Sequence, residues 1–280
     1  MSAGHSLGPS AGAAAQPHAT SVARWFSLFA REPRFAAAPA WRSPLRLGLG
    51  ALVVIAAITA AMIMVDAPAI GAARRLPEWL VALFDQVTDF GKSVWLLVPI
   101  ALALAAIAAL ASLPLAPVSR RVLAALAVRL GFLFLAIGLP GLFFTIVKRL
   151  IGRARPLVER GEAFDYRPFG WSVDYASFPS GHAVDAFAIA MAVGALWPRA
   201  RPLLWTYAVA IAVSRVVLTA HYPSDVLAGA VGGIVGVLLV RDWFAARGLA
   251  FVLGPRGSVR PLPGPSFARM RRLARQLAAC

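Results

Sequence analysis

Apolar residues along this chain fall in long runs, without a helical or strand period. The runs cover about 47–65, 93–113, 124–147, 181–197, 203–220 and 226–243. About 20 apolar residues in helix cross a hydrocarbon core, so six membrane-spanning helices are predicted. The fourth run is short for a span, which tilt or a re-entrant start accommodates. Pro99 and Pro140 lie inside the second and third runs, where neighbouring helices satisfy the freed carbonyls. The sixth carries Gly229, Gly232, Gly233 and Gly236, two overlapping small-xxx-small pairs. Close helix packing and a plain Gly/Ala/Val-rich composition both fit them. The predicted fold class is an all-α polytopic membrane helical bundle. Its parts are an N-terminal tail at 1–44, a six-span domain at 45–245 and a basic tail at 246–280.

Composition agrees. The 280 residues have a mean hydropathy of +0.73, and only 14% are charged, against about 25% in soluble domains. One cysteine, Cys280, excludes an intrachain disulfide, and it is not fourth from the end as a prenylation box requires. Residues 1–20 are Ala/Gly/Ser/Pro-rich. They lack the charged and apolar regions of a signal peptide and read as disordered. The stretch 22–31, with Trp25, Phe26 and Phe29, suits a membrane surface.

Charge sets the orientation. With six spans and a cytoplasmic N-terminus, the inner segments hold the arginines at 24–46, Arg120, Arg121, Arg129, Arg199, Arg201 and those from Arg241 to Arg275. Only Glu32 and Asp242 oppose them, so the whole formal net charge of +16 lies on that face. This follows the positive-inside rule and places both termini in the cytoplasm. The arginines then act as orientation signals and as a surface for anionic lipids, not as a nucleic-acid site. The stretch 266–280 puts Phe267, Met270, Leu273 and Leu277 on one side of a basic amphipathic helix. A solvated tail also fits it.

In this topology three polar clusters emerge on the outer side. They are Lys148–Pro156, Pro179–His182 and Ser214–Asp225. The first and third supply Lys148, Arg155 and Arg215, cations suited to a phosphate. Arg149, Arg153 and Arg167 read as interfacial anchors. Ser180 is placed to cap a helix after Pro179, and the free N–H groups at Gly181 then face outward, where an anion binds. His182 and His221 can divide the chemistry, one attacking phosphorus and the other protonating the leaving oxygen. Asp225, four residues after His221, is placed to accept the other ring N–H, or to cap the sixth span. Asp185 reads as a helix-start charge. No metal is needed, and three cations in one place would repel one.

Lys148, six residues, Arg155-Pro156; Pro179-Ser180-Gly181-His182; Ser214-Arg215, five residues, His221, three residues, Asp225: this tripartite pattern resembles that of the type-2 phosphatidic acid phosphatases. That superfamily also contains the vanadium haloperoxidases. The motifs span 148–225, and the six-span layout extends the likeness to about 45–243. The resemblance implies His221 as nucleophile held by Asp225, and His182 as the acid. It implies phosphate binding by Lys148, Arg155, Arg215, Ser180 and the Gly181 backbone. It also implies a reaction without metal or cofactor, through a phosphohistidine, at the periplasmic face of a bacterial inner membrane. Residues 88–95, after the acidic amphipathic stretch 76–87, resemble the outer interfacial segment of bacterial members. The segment 157–178 is too short for a large lid.

The expected activity is therefore hydrolysis of a lipid phosphate. Phosphatidic acid or phosphatidylglycerophosphate comes first, undecaprenyl pyrophosphate second and lipid A third. A lipid phosphotransferase would use the same residues. A haloperoxidase is disfavoured by the six spans. A non-catalytic phospholipid-binding membrane protein explains the spans but not both histidines.

Overall fold

The computed structural model describes residues 31–33, 43–158, 163–254 and 257–278. The disordered and interfacial readings of 1–30, and Cys280, fall outside these residues. The described chain is a helical bundle: α1 (Pro44–Met64), α2 (Asp66–Ala73), α3 (Glu78–Asp89), α4 (Val94–Leu110), α5 (Pro117–Ile151), α6 (Gly181–Leu196), α7 (Arg201–Val217) and α8 (Pro223–Ala246). A short hairpin, β1 (Phe251–Leu253) with β2 (Val259–Pro261), and a last helix, α9 (Phe267–Ala278), follow.

Five stretches are long and apolar enough to cross a membrane: Pro44–Met64, Glu78–Leu110, Pro117–Ile151, Pro198–Val217 and Pro223–Ala246. Gly181–Leu196 is a sixth apolar helix and a shorter one. Each of the six predicted runs thus has its helix. The third is longer than its apolar run, because Pro117 starts the helix at N1 and Gly152 ends it at φ +65°. A β-carbon on Gly152 would lie 1.8 Å from the Arg167 carbonyl oxygen, so the turn off α5 requires glycine. At 35 residues, α5 is about 52 Å long.

Helix α6 lies at the centre, packed on α5, α7 and α8. Its Ala183, Ala186, Ala188, Ala190 and Ala192 are fully buried, and small side chains let the neighbours approach closely. Helix α8 uses both glycine pairs of the sixth run. A β-carbon on Gly229 would meet Ser180 O at 2.5 Å, and one on Gly233 would meet Val184 O at 2.4 Å, so this pair packs on α6. Gly232 and Gly236 pack on Phe144 and Pro140 of α5. The glycines are thus packing surfaces on two sides of one helix.

The end of the bundle opposite Lys148 is closed by the hairpin and α9. Phe251 is buried against Phe132, with ring centroids 4.7 Å apart and edge to face. Leu273 of α9 is buried beside Val122 and Leu123, and Leu277 packs on the same cluster. Gln276 Oε1 accepts from Ser119 Oγ at 2.6 Å. Of the four apolar residues read from 266–280, Leu273 and Leu277 face the bundle, while Phe267 and Met270 are exposed.

Candidate active site

The site forms where α5 ends, α6 begins, α7 ends and α8 begins. The glycine contacts of α8 bring the start of α8 against the start of α6, and Ser180 N–H donates to Asp225 O at 3.0 Å. The connection from α5 to α6 is pinned by its backbone: Ala154 N–H bonds Asp165 O, Arg155 N–H bonds Asp174 O, and Ser177 N–H bonds Arg153 O.

His221 lies in the turn between α7 and α8 and is almost fully buried. Its Nδ1 is 2.9 Å from the carbonyl oxygen of Ser177. A carbonyl only accepts, so Nδ1 carries the hydrogen and Nε2 keeps its lone pair. Burial pushes the imidazole pKa down, and the pull of Asp225 in the other direction does not overcome it. The ring is therefore neutral at physiological pH, with its unprotonated nitrogen on the far side from Ser177.

Asp225 is placed differently from the expected hydrogen-bond partner of His221. Its Oδ2 is 3.7 Å from His221 Nδ1, beyond hydrogen-bond range. Oδ2 instead accepts from Ser177 Oγ at 2.6 Å and from Tyr222 N–H at 2.9 Å. Asp225 also occupies N3 of α8 in a capping box, not the N-cap position. Ser177 O fixes the tautomer, and Asp225 fixes the turn and supplies a nearby negative charge.

Arg153, read from the sequence as an interfacial anchor, is fully buried. Its Nη1 donates to Asp225 Oδ1 at 2.6 Å and Ser224 Oγ at 2.7 Å, and its Nη2 donates to Asp66 Oδ2 at 2.8 Å. Asp66 also receives Ser224 N–H at 2.9 Å. The guanidinium lies 4.3 Å from the centre of the Tyr222 ring. Burial alone would weaken the charge of Arg153, but Asp225 and Asp66 outweigh it and raise its pKa. Sequence reasoning missed both Arg153 and Asp66. The available signal was an aspartate directly after an apolar span, where an ionisable group is costly. Of the other two arginines read as anchors, Arg149 is half-buried and donates to Trp171 O and Ser172 O. Arg167 stacks on Tyr175.

The predicted phosphate ligands converge. A β-carbon on Gly181 would be 2.9 Å from Lys148 Nζ, so the ammonium lies over the start of α6. His182, in the first turn of α6, is in the electrostatic field of Arg215, His221 and Lys148. Arg155 donates from Nε to Val173 O at 3.1 Å, and burial lowers its pKa. Arg215 donates from Nη1 to Thr88 Oγ1 at 2.5 Å. Ser180 occupies the N-cap position, but its side chain caps nothing. Ser180 Oγ and Arg215 Nε are buried without a hydrogen-bond partner among the described residues. Buried polar atoms rarely go unpaired, and an anion at the start of α6 suits both donors. Among the described residues, no three His, Cys, Asp or Glu side chains group as metal ligands.

The corner between α3 and α4 forms the outer wall. Thr88 holds Arg215, and Gly91 backs onto the His182 ring, where a β-carbon would lie 2.9 Å from Cδ2. Ser93 N–H donates to Asp185 Oδ2 at 3.2 Å. A cleft of about 360 Å³ runs from Lys148 and His182 between this corner and α5.

Comparison with known proteins follows the same lines. The family model described as the PAP2 superfamily matches residues 129–249. A lipid A 1-phosphatase of Rhizobium etli is 35% identical over 218 residues, 76% of this chain and 92% of that protein. A decaprenylphosphoryl-5-phosphoribose phosphatase of Mycobacterium tuberculosis is 36% identical over 98 residues, 34% of this chain and 50% of that one. Among solved structures, Aquifex aeolicus LpxE aligns with a TM-score of 0.46 and 20% identity, covering 62% of this chain and 93% of that chain.

Proposed function

Because the chain belongs to the PAP2 superfamily of type-2 phosphatidic acid phosphatases, we propose that it is a membrane phosphatase that removes a phosphate monoester from a lipid of the lipid A type. The observation that carries this reading is the pairing of an oriented, neutral His221 with two unpaired buried donors, Ser180 Oγ at the start of α6 and Arg215 Nε at the end of α7. The order of substrates read from the sequence is revised: a relative named for lipid A matches along three quarters of this chain, so lipid A moves ahead of phosphatidic acid and undecaprenyl pyrophosphate.

The reaction runs in two steps. His221 Nε2 attacks phosphorus as the ester P–O bond breaks, and His182 gives its proton to the leaving oxygen. The resulting phosphohistidine is cationic at the ring, and Asp225, 3.7 Å from Nδ1, stabilises that charge as a carboxylate does in a triad. His182 then takes a proton from water. The water oxygen attacks phosphorus, the P–N bond breaks, and inorganic phosphate leaves with His221 restored. Lys148, Arg155, Arg215, Ser180 and the Gly181 N–H hold the phosphoryl oxygens. The group supplies its own acid, base and nucleophile, without metal or cofactor.

The site faces the periplasm in this reading, with both termini in the cytoplasm of a bacterial inner-membrane protein. The support is the charge distribution: the site lies at the end of the bundle opposite Arg120, Arg121, Arg199, Arg201 and the arginines of α9. Those arginines meet anionic lipids of the inner leaflet.

Phosphate release by detergent-purified protein from lipid A, phosphatidic acid, phosphatidylglycerophosphate and undecaprenyl pyrophosphate tests the function. Release from lipid A, lost in His221→Ala and Arg215→Ala and unaffected by EDTA, is the expected result. A folded protein silent on all four lipids would refute it.

A further inference from the structure

Asp185 was read from the sequence as a helix-start charge, but it lines the cleft beside the phosphate ligands. It stands one turn after His182 on α6. Its Oδ2 is occupied by Ser93 N–H at 3.2 Å. Its Oδ1 faces Gly141 of α5, where an added β-carbon would lie only 2.9 Å away. Ser93 also bonds this carboxylate through its side chain, so the α3–α4 corner anchors Asp185 while Oδ1 borders the cleft at Gly141. The structure therefore keeps one acceptor anchored and presents a second to the cleft.

The position has chemical meaning, in a step that rests on the phosphatase reading above. His182 protonates the leaving oxygen, so the carbon bearing that oxygen lies on the His182 side of the phosphate. The substituents of that carbon then enter the cleft lined by His182 and Asp185. We propose that Asp185 is a specificity-determining residue, accepting a hydrogen bond from a hydroxyl or amide N–H on the leaving alcohol beside the scissile ester. Such a contact selects phosphate monoesters of hydroxylated or amidated carriers, a phosphorylated amino sugar among them. A polyprenyl pyrophosphate presents a second phosphate at the same place. Its oxygens are acceptors, and they meet another acceptor in Asp185.

Two cations line the same cleft, and Lys148 also acts on Asp185 through space. Lys92 is paired with Asp89 at 2.6 Å, and the Lys148 ammonium lies over Gly181, at the phosphate end. A site built to bond a substrate N–H or O–H discriminates strongly against an analogue without it.

Asp185→Asn is the sharp test. Ser93 N–H still requires an acceptor, so the amide oxygen takes the Oδ2 place and the NH2 turns into the cleft, replacing an acceptor by a donor. Gly141→Ala is the second variant. It crowds Oδ1 from the opposite wall and changes none of the phosphate ligands. Both are assayed as full-length protein in detergent on three substrates: lipid A, whose 1-phosphate is flanked by an amide N–H, a long-chain alkyl monophosphate with no donor, and undecaprenyl pyrophosphate. In each variant kcat/KM for lipid A should fall about tenfold relative to the alkyl phosphate. Its ratio to the pyrophosphate should fall at least as far. An equal loss on all three substrates would overturn the proposal and leave Asp185 as an anchor of the α3–α4 corner. Wild-type protein inactive on all three would instead refute the phosphatase reading itself.

Discussion

Arg153 Nη1 and Asp225 Oδ1 are 2.6 Å apart with neither side chain exposed. The pair ties the connection after α5 to the first turn of α8, 72 residues later. Asp66 extends it to the start of α2. One guanidinium thus holds three separate stretches of chain around the turn that orients His221.

Removing that cation leaves two buried carboxylates without the guanidinium they share. Arg153→Ala should cost about 3–5 kcal/mol, the usual loss when one member of a buried pair is deleted. Thermal unfolding in detergent measures it. Arg153→Lys keeps the charge but cannot bridge Asp66 and Asp225 at once, and should fall between. A melting temperature unchanged in Arg153→Ala would refute the role given to the pair.

Activity should depend on pH through His221. Attack requires the neutral ring. Burial places the folded-state pKa below the ordinary 6.5, so protonation begins only at lower pH. The acid limb of kcat/KM should have its midpoint below 6.5, with rate falling as pH drops through it. A midpoint above 6.5 would show that Asp225 outweighs burial.

Ser180 separates stability from function. Its buried hydroxyl bonds nothing among the described residues, so Ser180→Ala should leave the melting temperature unchanged or higher. Binding to the charged phosphate is lost, and kcat/KM should fall about 10- to 100-fold. Loss of stability without loss of rate would contradict the placement.

Two glycines in helices should respond in opposite directions. Gly233→Ala drives a methyl to 2.4 Å from Val184 O and 3.1 Å from Ala188 N, both backbone atoms, and should destabilise by about 1–3 kcal/mol. Gly48→Ala in α1 meets nothing within 4 Å, and should stabilise by up to about 1 kcal/mol. Equal shifts would mean that α8 does not pack on α6 through this face.

The spans were legible because run length alone reports them, and Pro117 and Gly152 refine α5 by local chemistry. Residues of the three clusters were legible through their spacing, which brings Lys148, Gly181, His182 and His221 to one end of the bundle. Arg153 was not legible. Two positions from Arg155 and beside Gly152, it has the local sequence of any interfacial arginine, and its burial depends on Asp66, 87 residues earlier. The partner of His221 was also hidden, because a backbone carbonyl leaves no signature in residue type. Ser177 O holds Nδ1, and the side-chain spacing of His221 and Asp225 pointed elsewhere. The docking of α9 was one of two readings, and it is the contacts of Leu273 and Gln276 with the base of α5 that select between them.

The α3–α4 corner lies outside the stretch that carries the chemistry, yet it walls the cleft through Thr88, Gly91 and Ser93. The three polar clusters and part of the wall beside them thus come from separate lengths of chain. A graft of residues 92–97 that keeps Thr88 and Gly91, the contacts of Arg215 and His182, reshapes that wall without changing any residue of the three polar clusters.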